Sequence, residues 1–246
     1  DRINQLYKIG WLQQQFPFYN IQSFDIVEMS RVPKDFMAFM AAWSQANLAS
    51  PLLSLSRAWQ LTSTRYILGP DEFLDYWSQQ SFSASTPFRV IMHFDIERKP
   101  GITVVTSADQ VTAVSTPDGP FALFDFTNAL PRAKLYNHWQ VNTNDADALQ
   151  KIFNPAFDPQ SSIVVDSGLP PHPAFATNDL TGQSAGTVDI SHYAPKDIVL
   201  RADAAAPSVL LLNDHYDPDG KVLVDGKPQR LLRCNFLMRG VYLLPG

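Results

Sequence analysis

The residues best suited to chemistry crowd toward the C-terminal end, where Asp214, Asp217, Asp219 and Asp225 share one stretch, NDHYDPDGKVLVDGKPQ, with His215. Carboxylates at alternate positions before a glycine suit a calcium loop, because Ca²⁺ takes roughly six to eight oxygen ligands. With Asp217 and Asp219 set as the third and fifth ligands and Gly220 as the sharp turn, the loop would have to start at His215 and close at Gly226. Neither end supplies a carboxylate. The same residues suit turns: Asp217-Pro218-Asp219-Gly220 has the preferences of a type I turn, and Asp225-Gly226 those of a two-residue hairpin with positive φ. The expectation is a turn and a hairpin without a tightly bound ion.

Other reactive groups are scattered. His93, His138, His172, His192 and His215 never stand four apart, so no zinc-protease spacing occurs. Cys234 is the single cysteine and has no partner thiol. It reads as a buried, inert thiol. Asp25/Glu28, Asp71/Glu72 and Asp95/Glu97 could pair as acid and base, but a solvated surface is the simpler account without a cleft. Trp11, Trp43 and Trp59 lie in apolar patterns that favour burial over sugar stacking. No catalytic, cofactor-binding or metal residue is assigned. The candidate ligand residues are Arg233, Asn235 and Arg239. Read as one strand, RLLRCNFLMR places Arg233 and Asn235 side by side, with Arg239 joining them if no bulge intervenes. Such a row could bind a glycan hydroxyl or a lipid phosphate, or anchor the strand to backbone carbonyls.

These groups need a scaffold, and 246 residues, 45% of them apolar, can build a core. A net charge of −5 with no Lys/Arg run leaves no footprint for nucleic acid. No apolar run reaches the roughly 18 to 20 residues that span a bilayer, and no leader opens the chain. The absence of an initiator Met and the ending LLPG suggest a piece of a longer protein.

The pattern predicts an α+β chain in two portions. Residues 1–166 read as mixed helix and sheet. INQLYKIGWLQQQF and SRVPKDFMAFMAAW carry helical spacing, the second with Pro33 and Asp35 suited to a helix start. WQLTSTRYIL, FRVIMHFDI, ITVVT, QVTAV, FALFDF and SSIVV read as strands, and NTNDADALQKIF as a helix capped by Asn144. Residues 167–185 form a Pro/Gly-rich linker. Residues 186–246, with TVDISHY, DIVLRAD, SVLLLND, KVLVD, QRLLRCNFLMR and VYLLPG at close spacing, read as a small antiparallel β-sandwich-like domain.

The C-terminal motifs carry a resemblance. LLLNDHYDPDGKVLVDGKPQRLLRCNFLMRGVYLLPG resembles the extracytoplasmic C-terminal region of the YfhO family of bacterial polytopic membrane proteins. That family reads as a hydrophobic strand, D-x-Y-Y-P-G-W, a V-D-G hairpin, R-x-N-x-x-x-R-G-V and P-x-G. Asp214, Tyr216, Asp225, Gly226, Arg233, Asn235, Arg239, Gly240, Val241, Pro245 and Gly246 fall on it. FALFDFTNALPRAKLYNHWQV and WQLTSTRYIL resemble earlier family segments. Asp217-Pro218-Asp219-Gly220 replaces the aromatic tip. The resemblance implies a noncatalytic domain on the extracytoplasmic face of the bacterial cytoplasmic membrane. It would belong to a glycosyltransferase-like polytopic protein and position an acceptor glycan or a polyprenyl-phosphate sugar. The implied partner is the rest of that protein. Two alternatives stay open: a freestanding carbohydrate-binding or adhesion module, and a soluble glycoside hydrolase.

Overall fold

The structure is a computed structural model that describes residue 19 and residues 21–24, 32–49, 51–80, 87–169 and 185–246. The expected helix at INQLYKIGWLQQQF, Trp11, Asp25/Glu28 and His172 lie outside the described residues. The fold is mixed α and β with largely antiparallel sheets. Its contacts group into two compact units.

In one unit the described elements all lie within Thr64–Ala129. They are β1 (Tyr66–Pro70), α1 (Phe73–Gln80), β2 (Phe88–Arg98), β3 (Val111–Ser115) and β4 (Phe121–Phe126). The strands make an antiparallel sheet in the order β1-β4-β2-β3. Aromatic residues at alternate positions give it one buried face. Trp77 of α1 stacks on Phe88 at 4.1 Å between centroids and meets Phe124 edge-on at 5.7 Å, and Phe126 continues the row. Two expectations fail here. ITVVT is not a strand: Ile102 N–H bonds back to Lys99 O, and Gln110 Oε1 takes the Thr106 and Ser107 N–H groups, curling the segment into turns. WQLTSTRYIL is mostly not a strand either, since its first three residues end a helix of the other unit and pairing begins at Tyr66.

The other unit joins Val32–Ser63 to Leu130–Gly246. It opens with α2 (Lys34–Ala49) and α3 (Pro51–Leu61). Pro33 O accepts from Met37 N–H, so Pro33 stands just outside the first turn, and Phe39 is fully buried against Phe153. Thr62 Oγ1 returns to Ala58 O and Ser63 takes φ 51°, which ends α3. Next come β5 (Ala133–Tyr136), β6 (Trp139–Val141), α4 (Asp145–Phe153) and β7 (Ile163–Val165). Asn144 caps α4 through Oδ1, as its position predicts, and Ala148, Leu149, Ile152 and Phe153 are buried. After the Pro/Gly-rich segment follow β8 (Gly186–Ala194), β9 (Asp197–Ala204), β10 (Ser208–His215), β11 (Val222–Val224), β12 (Lys227–Gln229), β13 (Leu232–Cys234) and β14 (Met238–Leu243).

Six of these strands form one sheet, β5-β10-β14-β13-β7-β6, in which only β6 and β7 are parallel. The α4 crossover between them is what parallel pairing requires. The expected division at residues 167–185 does not coincide with this grouping, because β5, β6 and β7 from before the segment share a sheet with β10, β13 and β14 from after it. β8 and β9 form a separate hairpin with alternating burial. Val188, Ile190, Ile198 and Leu200 pack on Leu135, Leu210, Leu212 and Val241 of the six-stranded sheet. These apolar side chains form one cluster shared by the hairpin and the sheet.

Candidate functional site

RLLRCNFLMR is not one strand. β13 stops at Cys234, Asn235 and Phe236 take φ 44° and 70°, and β14 returns from Met238. The expected row is therefore corrected: Asn235 does not stand beside Arg233 on a strand, and Arg239 meets Arg233 across the hairpin as its Cα partner. Directly opposed residues project from the same face. No apolar pattern distinguishes this tight reversal from a continuous strand, and Asn tolerance of positive φ is the one local signal for it.

The three candidates do different work. Asn235 is buried; its N–H donates to Val164 O at 2.8 Å and its Oδ1 accepts from Val164 N–H at 3.0 Å. It serves as an anchor in the sheet. Arg233 pairs with Asp145 at the start of α4, and its guanidinium lies 5.1 Å from the Phe236 ring centroid. Its N–H donates to Asp166 Oδ1 at 3.2 Å. Arg233, Asn142, Val164, Asp166 and Phe236 line one small depression.

Arg239 belongs to a second constellation, centred on Asp214, whose side chain is only 8% exposed. Arg132 Nη2 donates to Asp214 Oδ1 at 2.6 Å, while Tyr193 O–H and Arg239 Nη2 reach Oδ2 at 3.2 and 3.4 Å. The Arg132 guanidinium stacks over the Tyr193 ring at 4.0 Å. Arg132, just before β5, is brought here by the Asn213 N–H bond to Arg132 O, which extends the β5/β10 ladder. Arg132 and Tyr193 were missed from sequence because their shared carboxylate lies 82 and 21 residues away. Arg132 lies within FALFDFTNALPRAKLYNHWQV, one of the segments that carry the resemblance.

A related triad occurs in the Thr64–Ala129 unit. Arg65 Nε and Arg89 Nη2 hold the nearly buried Asp125 carboxylate at 3.0 and 2.7 Å. The Arg65 hydrogen bond, with help from Arg89, keeps that carboxyl below the usual range. Here the guanidiniums are 59% and 70% exposed.

The remaining groups hold structure. Cys234 is fully buried, and desolvation pushes its thiol well above the ordinary value, which disfavours a nucleophilic thiolate. Arg57, Lys134 and Tyr136 donate to the carbonyls of Phe157, Gln160 and Pro159 and so clasp one loop. Burial lowers the Arg57 and Lys134 pKa values and raises that of Tyr136. His93 lies 3.3 Å from Asp71 and His215 3.0 Å from Asp35. Among the described residues no three His, Cys, Asp or Glu side chains gather as a metal site. The aspartate-rich stretch folds as turns: Gly220 N–H bonds to Asp217 O and Asp219 N–H to Asp217 Oδ1, each at 2.9 Å. Asp225 and Gly226 take φ 50° and 74° between β11 and β12. No protein-family model, curated protein or solved structure matches the chain.

Proposed function

We propose that the chain is a noncatalytic extracytoplasmic domain of a glycosyltransferase-like polytopic membrane protein of the YfhO type, which helps to position an acceptor glycan or a lipid-linked sugar. The observation that carries this reading is that the residues of the resemblance have separate structural jobs in one unit. Asp225-Gly226 turn a hairpin, Asn235 grips Val164, Asp214 and Arg239 pair, and Gly240 sits where a side chain would collide with Leu210 O and Cys234 Sγ. A motif string with those roles suits a scaffold rather than a reaction centre. Among the described residues no helix is long and apolar enough to cross a membrane, so in this reading the anchoring helices belong to the rest of the parent.

The two antiparallel layers around Leu210 and Ile190 support a sandwich-like reading of the C-terminal portion. That architecture also suits the second reading, a freestanding carbohydrate-binding module. The parent gene separates the two. Membrane spans flanking this sequence, with fractionation of the full-length protein into the cytoplasmic membrane, are the expected result. A secretory leader with no spans would favour the binding module. Sugar transfer from a polyprenyl-phosphate donor by the isolated chain would overturn the noncatalytic assignment.

A further inference from the structure

We propose that Arg132 and Arg239, held on Asp214, form a binding site for a phosphoryl oxyanion. The proposal stands on the geometry of this one unit and is independent of the accessory role above. Two guanidiniums share one carboxylate, which leaves one positive charge uncompensated. Each spends one Nη2 on Asp214, and an arginine carries five N–H donors. Arg239 Nε is enclosed and has no acceptor. A buried donor in that state costs stability unless something accepts from it. Arg132 and Arg239 are 30% and 32% exposed, so the remaining donors are open to solute while Asp214 is sealed behind them.

Arg233 strengthens the argument. Its Cα is the partner of the Arg239 Cα, a spacing of about 5 Å in an antiparallel pair. Like charges so opposed repel, and Arg233 is drawn away by Asp145, 57% exposed, at the start of α4. Arg239 thus has a cation on one flank and a shared carboxylate on the other. The donors of the two forks that stay open to solvent belong to a cluster with one more positive than negative charge, which favours an anion. The Arg65–Asp125–Arg89 triad provides the contrast: it has the same ion types, but neither arginine has an enclosed donor without an acceptor.

The two forks are tied to different oxygens of Asp214. Arginine forks accept carboxylate or phosphate oxygens, and a tetrahedral phosphoryl group, with its oxygens out of one plane, can take donors from both forks. Asp214 and Tyr193 act as positioning residues: Asp214 fixes both guanidiniums, and the Tyr193 ring supports Arg132.

The test is a titration of the wild-type chain with inorganic phosphate at constant ionic strength, following the arginine Nε–Hε resonances by NMR. Saturable movement of the Arg239 signal is expected, weakened about tenfold or more in Arg132→Gln, as for loss of one charge-assisted bond. Asp214→Asn loosens the hold on both guanidiniums and should weaken the response as well. A response no greater than with chloride, a stronger response to acetate than to phosphate, or equal binding by a folded Arg132→Gln would overturn the proposal. The wild-type titration decides the matter even if both variants unfold. Flotation with phosphatidylcholine vesicles, with and without phosphatidylglycerol, identifies the source. Phosphate-displaceable binding to the anionic vesicles marks a lipid headgroup; phosphate binding without flotation marks a soluble phosphoester.

Discussion

Asn235 holds Val164 from both sides of its peptide: backbone N–H to Val164 O and side-chain Oδ1 from Val164 N–H. The side chain thereby imitates the strand that the backbone abandons at φ 44°, and it carries the ladder from β13 toward β7. Truncation leaves the Val164 N–H buried without an acceptor. Asn235→Ala is expected to lower stability by about 1–3 kcal/mol, read as a shifted urea midpoint with an unchanged slope. Asn235→Asp keeps an acceptor but buries an unpaired carboxylate, so at neutral pH it should cost at least as much. Equal midpoints for Ala and wild type would show that the grip carries no net weight.

Gly240 is packed on both sides. A Cβ there would lie 2.6 Å from both Leu210 O and Cys234 Sγ, and backbone atoms of a central strand cannot step aside. Gly240→Ala is expected to cost about 1–3 kcal/mol, in the range of core overpacking, measured by thermal or urea unfolding. Gly226→Ala is the control for general glycine effects. Nothing lies near its Cβ position, and only its φ of 74° penalises the change.

The Asp125 carboxyl supplies an acid-sensitive component of stability. Its folded pKa is depressed, chiefly by the Arg65 hydrogen bond, so the folded state binds its proton less readily than the unfolded chain. The contribution is therefore complete above the unfolded value of 3.8 and is lost as pH falls through the lower, folded one. Unfolding midpoints of wild type and Asp125→Asn, compared from neutral pH downward, should converge in acid. A constant difference across that range would contradict the assignment.

The legibility of the fold in the sequence varies by element, for identifiable reasons. Asn144 announced α4 because capping is local, and Asp225-Gly226 announced a hairpin because few residues accept positive φ. Val188 and Ile190 showed a half-buried strand through period-two spacing. ITVVT failed because β propensity says nothing of a Gln110 side chain that captures the N–H groups of Thr106 and of Ser107 just after it. The break at Asn235 failed because the apolar residues on either side continue the alternation expected of one strand. Arg239 was legible as a candidate, but its partners were not: Arg132 reaches Asp214 only through the β5/β10 pairing.

The division of the chain also dictates an order of events during synthesis. Thr64–Ala129 is complete once Ala129 has left the ribosome, and β1, β2, β3 and β4 can then pair among themselves. The helices α2 and α3 are made earlier, yet the central strands of their own unit, β10 and β14, are among the last segments translated. At roughly 5–20 residues per second, the roughly 200 residues between Phe39 and β14 take about 10–40 seconds, so the sheet of this unit is completed long after its helices. The early helices therefore spend that interval without the strands that complete their unit.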